Sequence, residues 1–173
     1  MVHLTKIYTK TGDDGTPSLA NNKRVNKNSP IVIAMGKIDT ANSVIGMIPK
    51  DANMNVFDQI QNDLFDLGAD LCGSNSIKIS QNHIDYLEMC IDGTNALLEP
   101  LNSFVLPTGP IHHARSLVRE AELAVWDVMQ YMKYEEINPL LVIYLNRLSD
   151  LLFVLARYYN KGNEKLWNPT IPS

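Results

Sequence analysis

Between Tyr8 and Leu19 the chain reads YTKTGDDGTPSL, a stretch too polar to be core. Thr9, Lys10, Thr11 and Ser18 supply side-chain donors, and Gly12 and Gly15 let backbone N–H groups approach an anion. That is the chemistry of a phosphate cradle. Yet Asp13 and Asp14 put two negative charges at its centre, so the positive charge a phosphate needs must come from elsewhere. The aspartates either serve a magnesium ion or cap a turn. No GK[ST] follows the glycines, as a Walker A loop requires, and the alternating carboxylates of an EF-hand are absent. Taken alone, the stretch reads as a solvated turn.

Three further groups carry chemical side chains. In IHHARSLVREAEL (111–123), Arg115, Arg119 and Glu122 fall at i, i+4 and i+7, on one face of a helix. Such a stripe is ordinarily a surface ion-pair row. Here it borders the face that must bury Val118, Ala121 and Val125, so its arginines need partners or an anionic ligand. In LNRLSDLLFVLAR (145–157), Asn146, Arg147 and Asp150 interrupt a strongly apolar helix, and Asn146 and Asp150 share a face as packing partners or ligands. In GKIDTANSVIG (36–46), Gly36, Asp39, Ser43 and Gly46 lie close to one stripe. The two glycines there permit close helix approach. Asp39 is either solvent-facing or a partner for an arginine of 111–123. His112 and His113 are adjacent and point to different sides of a helix, which disfavours a metal pair. No E-x-x-H, G-x-S-x-G, H-E-x-x-H or Cys–His arrangement directs the chain toward di-iron or hydrolytic chemistry.

The elements that must position these residues are helices. Residues 1–29 are polar, and Leu4 and Ile7 support at most a short extended piece. Ser29-Pro30 pairs an N-cap with a proline at the first helical position and predicts a helix to about Ile48, stopped by Pro49. A second helix is predicted from about Met54 to Leu71, with Val56, Ile60, Leu64, Leu67 and Leu71 at helical spacing. A third spans about 81–98, with Ile84, Leu87, Ile91 and Leu98 on one face. After the proline-rich EPLNSFVLPTGP, a fourth runs from about Ile111 to Met132, burying Val118, Val125, Met129 and Met132. The fifth runs from about Asn138 to Asn160, with Leu141, Leu145, Leu148, Leu152, Leu155 and Tyr159 inward and Lys161-Gly162 closing it. Five amphipathic helices with short connections predict an all-α bundle in one domain: a loop over 1–29, the bundle over 30–160 and a surface tail over 161–173 docked by Trp167.

Bulk properties agree. The chain has 173 residues, 45% apolar and 20% charged, enough for one sizeable core. A net charge of −4 argues against broad binding to nucleic acid or anionic membranes. Cys72 and Cys90 form no metal spacing and read as free thiols of a cytoplasmic protein. Residues 1–20 lack the apolar core of a signal peptide, and the run Leu140–Leu145 is too short to span a bilayer.

The segments KIYTKTGDDGT, GKIDTANSVIG, IQNDLFDLGADL, FVLP, HHARSLVREAE and NRLSDLLFVLAR occur in this order along nearly the whole chain. Together they resemble the PduO-type ATP:cob(I)alamin adenosyltransferase family. The resemblance implies a five-helix bundle assembling as a homotrimer with active sites between subunits. It implies that the cobalt of cob(I)alamin attacks the 5′ carbon of ATP, giving adenosylcobalamin and triphosphate, with magnesium accompanying ATP. Thr9, Lys10, Thr11, Gly12 and Ser18 would wrap the triphosphate, joined by Lys27 of RVNK, Arg119, Glu122 and Asn146. Arg115 would pair across the interface with Asp39, making Arg119, Arg115 and Asp39 the catalytic set. Phe104, before VLP, would stand beside the corrin. No separate metal ligands are assigned. An adenosylcobalamin-dependent enzyme is the implied recipient of the product.

The chain departs from the family pattern at several places. LPTGPIHH is shorter than the usual LPGG connection, so the loop beside the corrin is expected to differ. Glu120 and Leu123 stand where arginines are usual, which predicts weaker ATP binding. Thr40, Ala41 and Pro17 also differ, Pro17 removing one possible donor. These departures keep a second reading open, a carrier that binds ATP or cobalamin without turnover. A purely structural oligomer would leave the polar loop and the charged stripe unexplained.

Overall fold

The apolar repeats fold as predicted. A computed structural model describes residues 8, 10–49, 55–73, 77–132, 137–161 and 163–169, and contains five helices: α1 (Pro30–Ile45), α2 (Asn55–Leu71), α3 (Gln81–Asn95), α4 (Gly109–Tyr131) and α5 (Leu140–Asn160). Leu4, Ile7, Thr9, Met54 and Gly162 lie outside the described residues. α1 packs against both α2 and α4, α4 packs against α5, and α5 against α3. None of the helices among the described residues is long and apolar enough to cross a membrane.

Helix ends differ from the expected ones for identifiable reasons. α1 and α3 stop three residues short of Ile48 and Leu98. In both places the chain keeps spiralling, but its last bonds tighten from i+4 to i+3, as in Ile48 N–H to Ile45 O and Leu98 N–H to Asn95 O. Ser29 has the extended backbone of an N-cap, with Pro30 following. Its hydroxyl, however, is buried without a partner, so the cap works through backbone alone. The Asn138 side chain accepts the Leu140 N–H at 3.1 Å and caps α5 directly. The left-handed residue that ends α5 is Lys161 (φ 50°).

α5 is the central helix. Leu141, Tyr144, Leu145, Leu148, Leu151 and Leu152 are fully buried, so its apolar surface extends well beyond one stripe. Gly46 lets α1 approach α2: a Cβ there would meet the Gln61 side chain at 2.8 Å. Gly36 faces open space, so it has no such role. Asn42 and Gln61 clip these helices reciprocally, each side-chain amide donating to the other's backbone oxygen at 3.2 Å.

A polar pair sits inside the core. The Tyr144 hydroxyl donates to Asp63 Oδ2 at 2.9 Å, and Gln59 Nε2 donates to Oδ1 at 2.7 Å. Burial, then the Asp63 charge beside it, raises the Tyr144 pKa well above its ordinary 10.0. The folded state therefore holds this proton more tightly than the unfolded chain. Its stabilising effect is complete below pH 10.0 and is lost as pH climbs from there toward the raised folded value. The urea unfolding midpoint of the wild type should thus fall more steeply above pH 10.0 than that of Tyr144→Phe; parallel profiles would contradict this.

Candidate active site

The polar loop is a folded object. Residues 15–27 form a small hairpin in which Val25 N–H donates to Pro17 O (3.1 Å), Lys27 N–H to Gly15 O (2.9 Å) and Leu19 N–H to Lys23 O (2.8 Å), with a single antiparallel bridge between Ser18 and Arg24. Asn22 (φ 62°) makes its tip, and Leu19 and Val25 anchor it on the bundle core. Lys10 (φ 60°) and Gly15 (φ 82°) take the left-handed conformation that bends the preceding segment. Lys27 lies beside Gly12, its Cε 4.0 Å from where a Cβ would stand.

Arg24 organises this loop. Its Nη2 donates to both Asp14 oxygens at 3.1 and 3.0 Å and to the Thr11 backbone oxygen at 2.7 Å, while Nε donates to Thr16 Oγ1 at 3.2 Å. Asp14 Oδ1 also accepts the Thr16 N–H and hydroxyl. The two Thr16 bonds lead in lowering the Asp14 pKa; desolvation opposes them, and the Arg24 charge and bond lower it further. Of the two roles open to Asp14, capping a turn is the one its geometry fits. The carboxylate is already neutralised, so the loop's centre carries less free negative charge than its sequence implies. Arg24 carries no motif that marks it in the sequence; its role comes from the turn that brings it back to the exposed Asp14.

The second group lies on α4 and α5. Asn146 Nδ2 donates to Glu122 Oε1 at 3.4 Å, and Arg147 Nη1 donates to Asn146 Oδ1 at 2.9 Å, so the Asn146 amide is held from both sides. Arg147 is itself fixed by Glu88 of α3 at 2.7 Å. The Arg115 guanidinium lies over the Phe153 ring, 5.5 Å from its centre. Burial and then Arg119 push the Arg115 pKa down, and Asp150 partly offsets this. Arg119 itself is exposed and makes no hydrogen bond or ion pair with the described residues. Two cations are thus held near one another, with Asp150 the anion that acts on Arg115.

Arg115 and Asp39 do not meet within the chain. Arg115 faces Phe153 and Asp150, whereas Asp39 lines an apolar cleft of about 620 Å³ between α1 and α2, shared with Ser18, Met35, Gly36 and Phe65. Ser43 is exposed on the same helix. Glu120 is turned toward α1, where Lys37 Nζ donates to it at 2.6 Å. Its negative charge is therefore matched on the helix surface, an answer to the expected loss of positive charge that the sequence left unseen. Leu123 is 66% exposed.

Phe104 is 77% exposed on the α3–α4 connection. Farther along that connection, a cleft of about 440 Å³ opens between the start of α4 and the ends of α1 and α5, lined by Thr108, Pro110, His112, Ile48 and Tyr159 among others. His112 is buried with its ring edge on Phe153 at 6.0 Å, while His113 is exposed, as adjacent positions on a helix require. Burial, then the Arg115 charge, lowers the His112 pKa and keeps it neutral, Glu164 opposing. In sequence Phe153 is one residue of an apolar run; in the structure its ring is where Arg115 and His112 converge.

Comparison with known proteins adds the family. Residues 7–159 match the model of the cobalamin adenosyltransferase family. A corrinoid adenosyltransferase of Mycobacterium leprae is 42% identical over 188 residues, covering 97% of this chain and 98% of the relative. That of Mycobacterium tuberculosis is 43% identical over 185 residues, with 97% and 95% covered. A variant of the Lactobacillus reuteri PduO-type ATP:corrinoid adenosyltransferase, solved with cobalamin and ATP, superposes with a TM-score of 0.86 at 32% identity, over 95% of this chain and 100% of that one. With the five-helix bundle, the polar N-terminal loop and the α4–α5 charge group already in place, these matches settle the affiliation: the chain belongs to the cobalamin adenosyltransferase family.

Proposed function

We propose that this protein transfers the 5′-deoxyadenosyl group of ATP to the cobalt of cob(I)alamin, forming adenosylcobalamin and triphosphate, at sites shared between the subunits of a homotrimer. The reaction follows from family membership and from solved relatives that hold cobalamin and ATP together. A carrier without turnover is not favoured, because the relatives are adenosyltransferases over the full length of this chain.

The observation that carries the shared site is the separation of the nucleotide residues. Lys10, Thr11 and Gly12 lie in the segment leading into the hairpin, Ser18 and Lys27 in the hairpin itself, while Arg119, Glu122 and Asn146 belong to α4 and α5. No hydrogen bond or ion pair among the described residues joins Lys10, Gly12, Ser18 or Lys27 to Arg119, Glu122 or Asn146. One nucleotide contacts both if a second copy brings its own half, which would also give Arg115 the Asp39 of a neighbour. Thr9 belongs with the hairpin group by its position in the sequence. Magnesium enters as part of the ATP substrate, held on phosphate oxygens.

The roles follow from charge. Triphosphate leaves only if its growing negative charge is met, and arginine and lysine donors meet it without reorganising. Glu122 and Asn146, already hydrogen-bonded, fix the nucleotide's orientation. Alkylation of cobalt asks for no proton transfer from the protein, so positioning supplies the rate. Phe104 offers an apolar wall that keeps an axial ligand off cobalt. The product passes to an adenosylcobalamin-dependent enzyme, and the setting is the cytoplasm, where Cys72 and Cys90 stay as thiols.

The test is an anaerobic reaction of chemically reduced cob(I)alamin with ATP and magnesium, alongside sedimentation of the protein. One adenosylcobalamin and one triphosphate per ATP consumed, from a species of three chains, is expected. A folded, ATP-binding protein that forms no adenosylcobalamin would overturn the reaction, and an active monomer would overturn the shared site.

A further inference from the structure

The segment after α5 is stapled to the loop that presents Phe104. Arg157 anchors it: its Nε donates to Glu164 Oε1 at 3.1 Å, with both side chains under one-tenth exposed, and its Nη2 donates to the Glu99 backbone oxygen at 2.7 Å. Beyond that anchor the two segments pair. Leu106 N–H donates to Lys165 O at 2.8 Å and Trp167 N–H donates to Phe104 O at 2.7 Å, around an antiparallel bridge between Val105 and Leu166. The Ser103 hydroxyl closes the pairing on Trp167 O at 2.7 Å. Above it the Trp167 and Phe104 rings meet edge to face, 6.1 Å apart at 62°.

A phenylalanine 77% exposed on a loop has little to hold its ring in one rotamer. Here one ring contact and one backbone bond reach Phe104 itself, and two further hydrogen bonds hold its segment against the tail. We propose that Trp167 is a positioning residue for the corrinoid: it holds the Phe104 ring at the angle at which that ring walls off one face of the corrin. The proposal rests on the reading that Phe104 faces the corrin. Trp167, 49% exposed, leaves an indole face beside the Phe104 ring. Pairs in this geometry contribute beyond the area they bury. Indole suits the task because it is large, flat and limited to two rotatable bonds. A smaller residue at 167 would leave the backbone bridge intact and free the ring.

Four proteins test this: wild type, Phe104→Ala, Trp167→Ala and the double variant, with Trp167→Phe as the conservative control. KM for the corrinoid, KM for ATP and kcat from cob(II)alamin with a reductant are measured for each, after melting curves confirm folding. Trp167→Ala should lower kcat/KM for the corrinoid roughly 2- to 10-fold, the worth of an aromatic pair. ATP KM should stay unchanged, and Trp167→Phe should recover most of the loss. In the Phe104→Ala background, adding Trp167→Ala should change nothing further, because the residue acts through Phe104. An equal loss in both backgrounds overturns the positioning role, as does a Trp167→Ala protein indistinguishable from wild type while Phe104→Ala is impaired. If Phe104→Ala itself leaves the corrinoid kinetics untouched, the reading of Phe104 fails and the proposal falls with it.

Discussion

Arg119→Ala should reduce adenosylcobalamin formation by about 10²- to 10³-fold, the usual effect of removing one preorganised donor from a site where charge develops. The expectation rests on what Arg119 lacks. It is exposed on α4 with no carboxylate paired to it among the described residues, yet it stands close enough to Arg115 to depress that residue's pKa. Two nearby cations that Asp150 offsets only in part repel one another, and an anionic ligand relieves that repulsion. The loss should appear in kcat as well as in the KM for ATP, since the triphosphate gains charge as it departs. Arg119→Lys should recover only part of it, because an ammonium is a point charge without the planar fork. The melting temperature should not move. Near-wild-type turnover by Arg119→Ala in an anaerobic cob(I)alamin assay would remove α4 from the phosphate chemistry.

The largest effect on stability is expected at Asp63, far from those arginines. Its side chain is 3% exposed in the core and accepts from Tyr144 and Gln59, with His83 Nε2 4.0 Å away. His83 Nδ1 accepts the Ser80 N–H at 3.2 Å, so in the neutral ring the proton sits on Nε2, facing Asp63. Asp63→Ala strands the fully buried Tyr144 hydroxyl without an acceptor and leaves a void. The cost is about 3 kcal/mol, from an unsatisfied buried donor together with a lost charged hydrogen bond. For a chain of this size that lowers the melting temperature by roughly 6–12 °C. Tyr144→Phe alone should be milder. The double variant should be less destabilised than the sum of the two, because removing both partners removes the stranded group as well. Strict additivity, or a change below a degree in Asp63→Ala, would show that the pair contributes nothing specific.

Most of the bundle was legible because burial repeats at the helical period: Ile60, Leu64, Leu67 and Leu71, or Leu141, Leu145, Leu148 and Leu152, have no other economical arrangement. The spacing of Arg115, Arg119 and Glu122 was equally readable, since a helix fixes it. The hairpin over 15–27 was not. It has one isolated bridge and no alternating apolar pattern, and its shape depends on Arg24 reaching back to Asp14. Lys37 matching Glu120, Tyr144 reaching Asp63 and Trp167 meeting Phe104 span 83, 81 and 63 positions; pairings at that distance leave no local trace. The ends of α1 and α3 fall short of the expected ones for a smaller reason, since composition does not distinguish an i+3 bond from an i+4 bond.

The order of helix packing bears on how the chain is made. α1 rests on α4 and α3 rests on α5, so the closest later partners of the early helices start only at Gly109 and Leu140. A chain emerging from the ribosome through Asn95 has the α1–α2 contact, clipped by Asn42 and Gln61, and little else to cover its apolar faces. Ile84 and Leu87 of α3 must wait in water until α5 follows. Nascent chains stalled before residue 140 should therefore recruit holding chaperones and stay protease-sensitive, and resistance should arrive abruptly with the last helix.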